Sequence, residues 1–289
     1  MPTILVTGSK GQLGSELQEL AAQYPQHHFL FADVDTLDIC DEQAIHAFFK
    51  KHQIEYCINC AAYTAVDKAE SNLKTAFAVN VTGAKYLAMA CAVRKAVFLH
   101  LSTDYVYHNS QNTPFKEEDP VNPQGVYART KLDGERAAQQ INPLTVVVRT
   151  SWVYSSFGNN FVKTMLRLGA ERDALSVVYD QIGTPTYARD LAIGLLQMIN
   201  VIQGAESKKA LCGIYHFSNE GVTSWYDFAH AIFEEAKLSC QLTAIESKDY
   251  PTPAKRPHFS LLHKGKIKTV FEVKVRNWRE ALRDCLSRL

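Results

Sequence analysis

The sequence predicts an α/β fold, a doubly wound parallel sheet followed by a smaller C-terminal region. Three observations carry this. Short apolar runs alternate with amphipathic segments through the first 150 residues. A glycine-rich turn directly follows the first run, and polar residues with chemical capability gather just after the later runs. A β-α-β-α order of this kind gives parallel strands with helices on both faces. Ligands of such sheets bind beyond the carboxyl ends of the strands.

The elements follow in order. Thr3 to Thr7 is a short apolar strand, and Gln12 to Tyr24 carries Leu13, Leu17 and Leu20 at helical spacing. Phe29 to Ala32 is the second strand, leading into Asp33. Glu42 to His52 is a helix, Tyr56 to Cys60 the third strand, and Leu73 to Val93 one long helix. Val97 to Leu101 is the fourth strand, Tyr127 to Gln140 a helix, and Leu144 to Val148 the fifth strand. Beyond Arg149 the alternation loosens. Helices are expected at Phe161 to Ala170, Asp190 to Ile202 and Trp225 to Ala236, and strands at Leu175 to Val178 and Ile214 to Phe217. Pro251, Pro253 and Pro257 mark a turn-rich stretch, and Asn277 to Leu289 reads as a terminal helix. Residues 1–150 are thus expected to form a dinucleotide-binding, Rossmann-type domain. Residues 151–289 are expected to be mainly a substrate-binding region, partly discontinuous, with some segments returning to the sheet.

Bulk properties narrow the function. A chain of 289 residues can bury a large core. A net charge of +1 gives no global field to recruit nucleic acid or an anionic membrane. No run approaches 18 uninterrupted apolar residues, so no membrane partner is expected. The N-terminus enters Ile4-Leu5-Val6 without the basic region of a signal peptide. Seven scattered cysteines fit a reducing, cytoplasmic setting. Cys57 and Cys60 have redox or zinc spacing, but in an extended segment residues three apart point to opposite faces, and no second pair completes a site. No metal site is expected.

Gly8-x-x-Gly11-x-x-Gly14 lies between the first strand and the first helix. Glycines there allow a tight turn and close approach of backbone to a pyrophosphate, and the helix N-terminus supplies N–H donors. The third glycine lets helix and strand pack closely. Asp33, past the second strand, suits the adenosine ribose hydroxyls and would repel a 2′-phosphate, which biases the choice between NADH and NADPH towards NADH. Asp38-Ile39 would sit near the adenine. The small residues of Ala61-Ala62-Tyr63-Thr64 suit either close strand packing or a cofactor lying against the backbone.

Tyr127 and Lys131 fall four residues apart on one helix face. A free phenol, with a pKa near ~10, is a poor proton donor at neutral pH, and a neighbouring ammonium would lower that value. The pair therefore reads as a general acid/base. Ser102-Thr103 closes the fourth strand, and the Thr103 hydroxyl could bind a substrate carbonyl or serve as a local turn contact.

These motifs together resemble the extended short-chain dehydrogenase/reductases, which act largely on nucleotide-linked sugars. The resemblance covers essentially the whole chain. It is narrowed by Ala65-Val66-Asp67-Lys68-Ala69-Glu70, Ser102-Thr103-Asp104-Tyr105-Val106-Tyr107, Arg149-Thr150-Ser151-Trp152-Val153-Tyr154, Gly158-Asn159-Asn160-Phe161, Asp180-Gln181-Ile182-Gly183-Thr184-Pro185-Thr186 and Tyr250-Pro251-Thr252-Pro253-Ala254-Lys255-Arg256-Pro257. It implies reduction of the C4 ketone of a dTDP-linked 4-keto-6-deoxy sugar by NADH or NADPH, for glycans such as the lipopolysaccharide O-antigen. Gly11, Gln12, Leu13, Asp33, Asp38, Ile39, Ala62, Tyr63 and Thr64 then match cofactor contacts. Thr103, Asp104, Tyr127, Lys131 and Trp152 match substrate or catalytic positions. Arg256 is a candidate for the diphosphate, since a bidentate guanidinium suits it; a surface arginine is the alternative. A homodimer is compatible with the resemblance. Two features depart from it. Tyr107 stands where phenylalanine is frequent. Arg189 stands where some members carry an acid that joins a metal-bridged dimer, so that feature is not carried over.

Two other classes share the core motifs. An epimerase or dehydratase keeps and regenerates bound NAD⁺, so net NADH consumption separates it from a reductase. Dehydratases also tend to carry a glutamate after the aspartate beside the threonine, and none follows Asp104. A non-catalytic regulatory subunit is disfavoured by the intact Thr103, Tyr127 and Lys131.

Overall fold

A computed structural model describes residues 1–289. In chain order the first half comprises β1 (Thr3–Thr7), α1 (Gln12–Ala21), β2 (His28–Ala32), α2 (Glu42–Lys51), β3 (Ile54–Asn59), α3 (Val66–Ala69), α4 (Leu73–Phe77), α5 (Ala84–Arg94), β4 (Val97–Thr103), α6 (Gly125–Ile141) and β5 (Thr145–Thr150). The second half adds β6 (Val153–Tyr154), α7 (Phe161–Glu171), β7 (Ala174–Val178), β8 (Ile182–Gly183), β9 (Thr186–Tyr187), α8 (Ala188–Gly204), β10 (Gly213–Phe217), β11 (Thr223–Ser224), α9 (Trp225–Ala236), β12 (Gln241–Ile245), α10 (Gly265–Phe271) and α11 (Trp278–Leu286).

Six strands form one parallel sheet in the order β10-β5-β4-β3-β1-β2. The order reverses between β1 and β3, which opens a crevice at their carboxyl ends. Side chains alternate across the sheet. Ile4, Val6, Tyr56, Ile58, Leu99 and Val148 face α1, α8 and α10. Leu5, Cys57 and Phe98 face α2, α5 and α6. This two-sided burial explains why the strands read as continuous apolar runs rather than alternating ones. A separate core joins α7, α9 and α11 around Tyr154, Tyr187, Phe228, Ile232 and Trp278.

Most expected elements are present; besides the short α3, β6, β8, β9 and β11, three differences stand out. The single helix over Leu73 to Val93 contains a π-helical turn, Ala78–Gly83, between α4 and α5. Such turns recur at functional sites. Here the turn presents Asn80, whose side chain accepts from the Tyr63 N–H at 2.8 Å and donates to the Thr130 hydroxyl at 3.1 Å. By length and composition Leu73–Arg94 could cross a bilayer, yet it packs against α2, α6 and the sheet. Second, β12 was not expected. Its residues are mostly exposed and gain their conformation from parallel pairing with β7, a tertiary effect that outweighs local preference. Third, the short α10 is anchored by Ile267 and Phe271, too brief a period to stand out. All seven cysteines are free, and Cys57 lies in the core beside Cys91.

Candidate active site

The carboxyl ends of β1 to β5 converge on a cleft of about 640 Å³ at the strand-order reversal. Gly8 shapes its floor. Its φ is +66°, and a Cβ there would lie 2.6 Å from the Ala61 nitrogen, so only glycine fits between β1 and β3. A Cβ on Gly14 would lie 2.4 Å from the Gly8 carbonyl oxygen, which is why α1 can start so close to the loop. Gly8, Gly11, Gln12, Leu13, Asp33, Asp38, Ile39, Ala61, Ala62, Thr64, Tyr127 and Lys131 all line the cleft. Tyr63 does not; Asn80 pins its backbone from outside.

Asp33 follows β2 and turns back to the glycine loop. One carboxylate oxygen accepts from the Lys10 N–H at 2.8 Å and the other from the Val34 N–H at 2.8 Å. Each oxygen keeps a lone pair free for a ribose hydroxyl. The Lys10 ammonium is held by Asp35 at 2.6 Å beside this corner.

α6 delivers Tyr127 and Lys131 to the end of β4. Lys131 is 3% exposed and donates to the Leu101 carbonyl at 2.6 Å. Burial brings its pKa down to about 8, while the carboxylate of Glu135 one turn later holds it up. The expected depression of the Tyr127 pKa by Lys131 is not found. Burial pushes the phenol up to about 12, opposed by the Thr103 hydroxyl and reinforced by Asp104. The physical reason is that the phenol is fully desolvated, and a desolvated phenol strongly resists ionisation. The Tyr127 ring meets Tyr105 edge to face at 5.7 Å.

A buried polar network supports this corner. Glu135 accepts Arg149 through both carboxylate oxygens, at 2.7 to 3.2 Å, and also accepts the Ser102 hydroxyl. Arg149 donates onward to the Tyr107 hydroxyl at 2.6 Å. That hydroxyl lies 2.9 Å from His216 Nε2. The same hydroxyl donates to the Lys116 carbonyl at 3.0 Å, and His216 Nδ1 faces the His263 carbonyl at 3.2 Å. Tyr107, the departure from phenylalanine, is therefore a working member of this network.

The other expected site residues do not line the cleft. Thr103 and Asp104 are buried at 5% and 2% exposure, behind the cleft wall. Trp152 has a left-handed backbone, φ +47°, and stacks on Trp225 at 3.7 Å. Non-glycine residues in that region are strained and concentrate at functional sites. Arg256 does not offer an open fork. It makes a bidentate pair with Asp67, at 2.8 and 3.1 Å, and holds that carboxyl below its usual range.

The RmlD substrate binding domain family matches residues 2–289. The chain belongs to that family. It is 42% identical over 290 residues to a dTDP-4-dehydrorhamnose reductase of Aggregatibacter actinomycetemcomitans, covering 98% of each. Against that of Escherichia coli K12 it is 38% identical, covering 99% of this chain and 97% of the relative. Two solved structures are similar throughout. The dTDP-4-dehydrorhamnose reductase of Clostridium acetobutylicum superposes with a TM-score of 0.92 at 39% identity, covering 99% and 98%. That of Bacillus anthracis, in complex with NADP, gives 0.93 at 33% identity with full coverage of both chains. A UDP-glucose 4-epimerase of Thermus thermophilus shares the fold at 19% identity.

Sequence reasoning missed several cleft residues of this family member. Lys10 lies within the glycine loop and was readable there. Val79 and Val153 carry no local signal, because apolar residues look alike wherever they face. Gly158 and Asn159 reach the cleft because Asn160 donates to the Gln12 side chain at 3.0 Å, across 148 residues.

Proposed function

We propose that the protein reduces the C4 ketone of dTDP-4-dehydro-L-rhamnose to dTDP-L-rhamnose with NADH or NADPH. The observation that carries this is the placement of Tyr127 and Lys131 in the cleft floored by Gly8, with the Thr103 hydroxyl against the Tyr127 phenol, in a chain with full-length similarity to reductases of that name. The residues present suit a dinucleotide. The glycine loop packs its backbone tightly at the cleft floor, where a Cβ on Gly8 or Gly14 would strike neighbouring backbone, and Asp33 retains acceptor capacity for ribose hydroxyls. Gly11, Gln12 and Leu13 would hold the pyrophosphate, and Asp38, Ile39, Ala62 and Thr64 the adenine side. When bound, the cofactor supplies the hydride.

The chain's own residues do the rest. Tyr127 donates its proton to the alkoxide that develops at C4. Its raised pKa keeps it protonated at neutral pH, so it enters as an acid. Lys131 holds the nicotinamide ribose and places a positive charge near the forming phenolate. Thr103 hydrogen-bonds the carbonyl oxygen as charge grows on it. Trp152 and Asp104 contact the sugar. Arg256 leaves Asp67 to take the diphosphate, trading one bidentate acceptor for another. Residues 1–150 act as the dinucleotide half and residues 151–289 mainly as the substrate half, in the cytoplasm.

Tyr127→Phe is expected to retain NADH binding and to lower turnover by ~10²–10⁴-fold. The test is NADH oxidation, followed by absorbance, with dTDP-4-dehydro-L-rhamnose. Unchanged turnover in the variant would remove Tyr127 from the chemistry. An epimerase would show no net NADH consumption.

A further inference from the structure

Asp104 is a buried carboxyl that the mechanism above uses only as a sugar contact. It begins the turn after β4, Asp104–Val106, and is 2% exposed. Its Oδ1 lies 3.2 Å from the Thr103 hydroxyl oxygen. Its Oδ2 is buried with no partner. The Thr103 hydroxyl already accepts the Tyr105 N–H at 3.2 Å. A hydroxyl has one hydrogen to donate and two lone pairs with which to accept. Whichever group holds the proton between Thr103 and Asp104 therefore decides what Thr103 can offer to anything else.

We infer that the proton on Asp104 sets the polarity of the Thr103 hydroxyl. A protonated Asp104 donates to Thr103, fills its second lone pair and frees its hydrogen for the substrate carbonyl. An ionised Asp104 captures that hydrogen and turns Thr103 into a group with nothing to donate. Asp104 is then a positioning residue acting through Thr103, and this rests on the proposed role of Thr103 at the carbonyl.

The surroundings bring the protonation of Asp104 into the neutral range. Burial raises the Asp104 pKa to about 7, against the opposing influence of the nearby Ser260 and Thr103 hydroxyls and the Asp104 and Tyr105 N–H groups. The titratable groups facing it are Tyr127 and Tyr105, both of which it pushes upward, with Arg256 and Asp67 acting on the far side of Tyr105. A pair of phenols adds no compensating charge at neutral pH, so the carboxyl sits at the balance point. A purely apolar neighbour could not switch in this way, and an asparagine would donate permanently through its amide.

The test compares the wild-type protein and Asp104→Asn by the ratio of kcat/KM at pH 6 and pH 9, with about one decade of loss expected per unit above each controlling pKa. The wild type should fall in two steps, one from Asp104 and one from Lys131. The variant should keep only the Lys131 step, whatever its absolute rate. NMR titration of ¹³C-labelled aspartate carboxyls supplies a readout free of turnover. One resonance should titrate near neutrality and vanish in Asp104→Asn. A variant that keeps both steps, or a wild-type Asp104 that titrates in the ordinary carboxyl range, overturns the inference. Absence of NADH oxidation at every pH would instead overturn the proposed function, and the NMR result would still decide the state of Asp104.

Discussion

At Asp104 a single proton links folding to pH. In the unfolded chain its carboxyl titrates at the ordinary 3.8, and in the fold at about 7. Between those values the folded state holds a proton that the unfolded state lacks, so stability falls as pH rises through the window. The full effect is about 4 kcal/mol, present below the unfolded value and gone above about pH 7. Urea unfolding at several pH values should show this slope in the wild type and its loss in Asp104→Asn; an unchanged slope would assign it to other groups. The residue type and position were readable from Ser102-Thr103-Asp104. Its burial was not, because nothing local to β4 announces that Ser260, 156 positions on by numbering, covers it. Gly8 is the opposite case, since its neighbours in sequence already implied a turn that a side chain could not enter.

Along α6, successive turns grip the end of β4. Lys131 holds the Leu101 carbonyl, and Glu135 holds the Ser102 hydroxyl together with Arg149 of β5. Both members of the Glu135–Arg149 pair are at most 3% exposed in their side chains. Breaking one side of a fully buried ion pair costs about 3–5 kcal/mol, because the remaining charge has no solvent to turn to. Glu135→Gln is expected to lose that much in urea denaturation and to weaken the support that keeps Lys131 protonated. A loss under about 1 kcal/mol would mean that water reaches the pair. Helix α6 and the Tyr127–Lys131 spacing were legible from the sequence. The role of Glu135 was not, because a glutamate four residues beyond a lysine ordinarily reads as an exposed helix pair.

Across the whole molecule, contacts distant in sequence fold the second half over the cleft. Gln12 meets Asn160, Ser155 donates to Glu16 at 2.6 Å, and Arg189 reaches Glu16 at 3.2 Å. The Asp67–Arg256 pair ties the 250–257 segment to α3, with the Ala254 N–H adding a third contact to Asp67. This pair is partly exposed, so it contributes little to global stability. Asp67→Asn is expected to change the unfolding free energy by less than about 1 kcal/mol, yet to speed amide hydrogen exchange over residues 250–257. Equal exchange in both proteins would show that other contacts hold this segment. β10 completes the sheet beside β5, with Phe217 opposite Thr150, so the two halves of the chain share one framework.

The sequence alone determined the alternation of the sheet strands with their main helices, the glycine loop, and the residues able to do proton and hydride chemistry. These depend on local periodicity and on residue types within a few positions of one another. Only the tertiary structure decided which charges are dry. It desolvated the Tyr127 phenol, gave Arg256 a partner in Asp67, and left Asp104 poised between two protonation states. Solvent exclusion is a property of what packs around a group, and those neighbours come from parts of the chain that no local pattern connects.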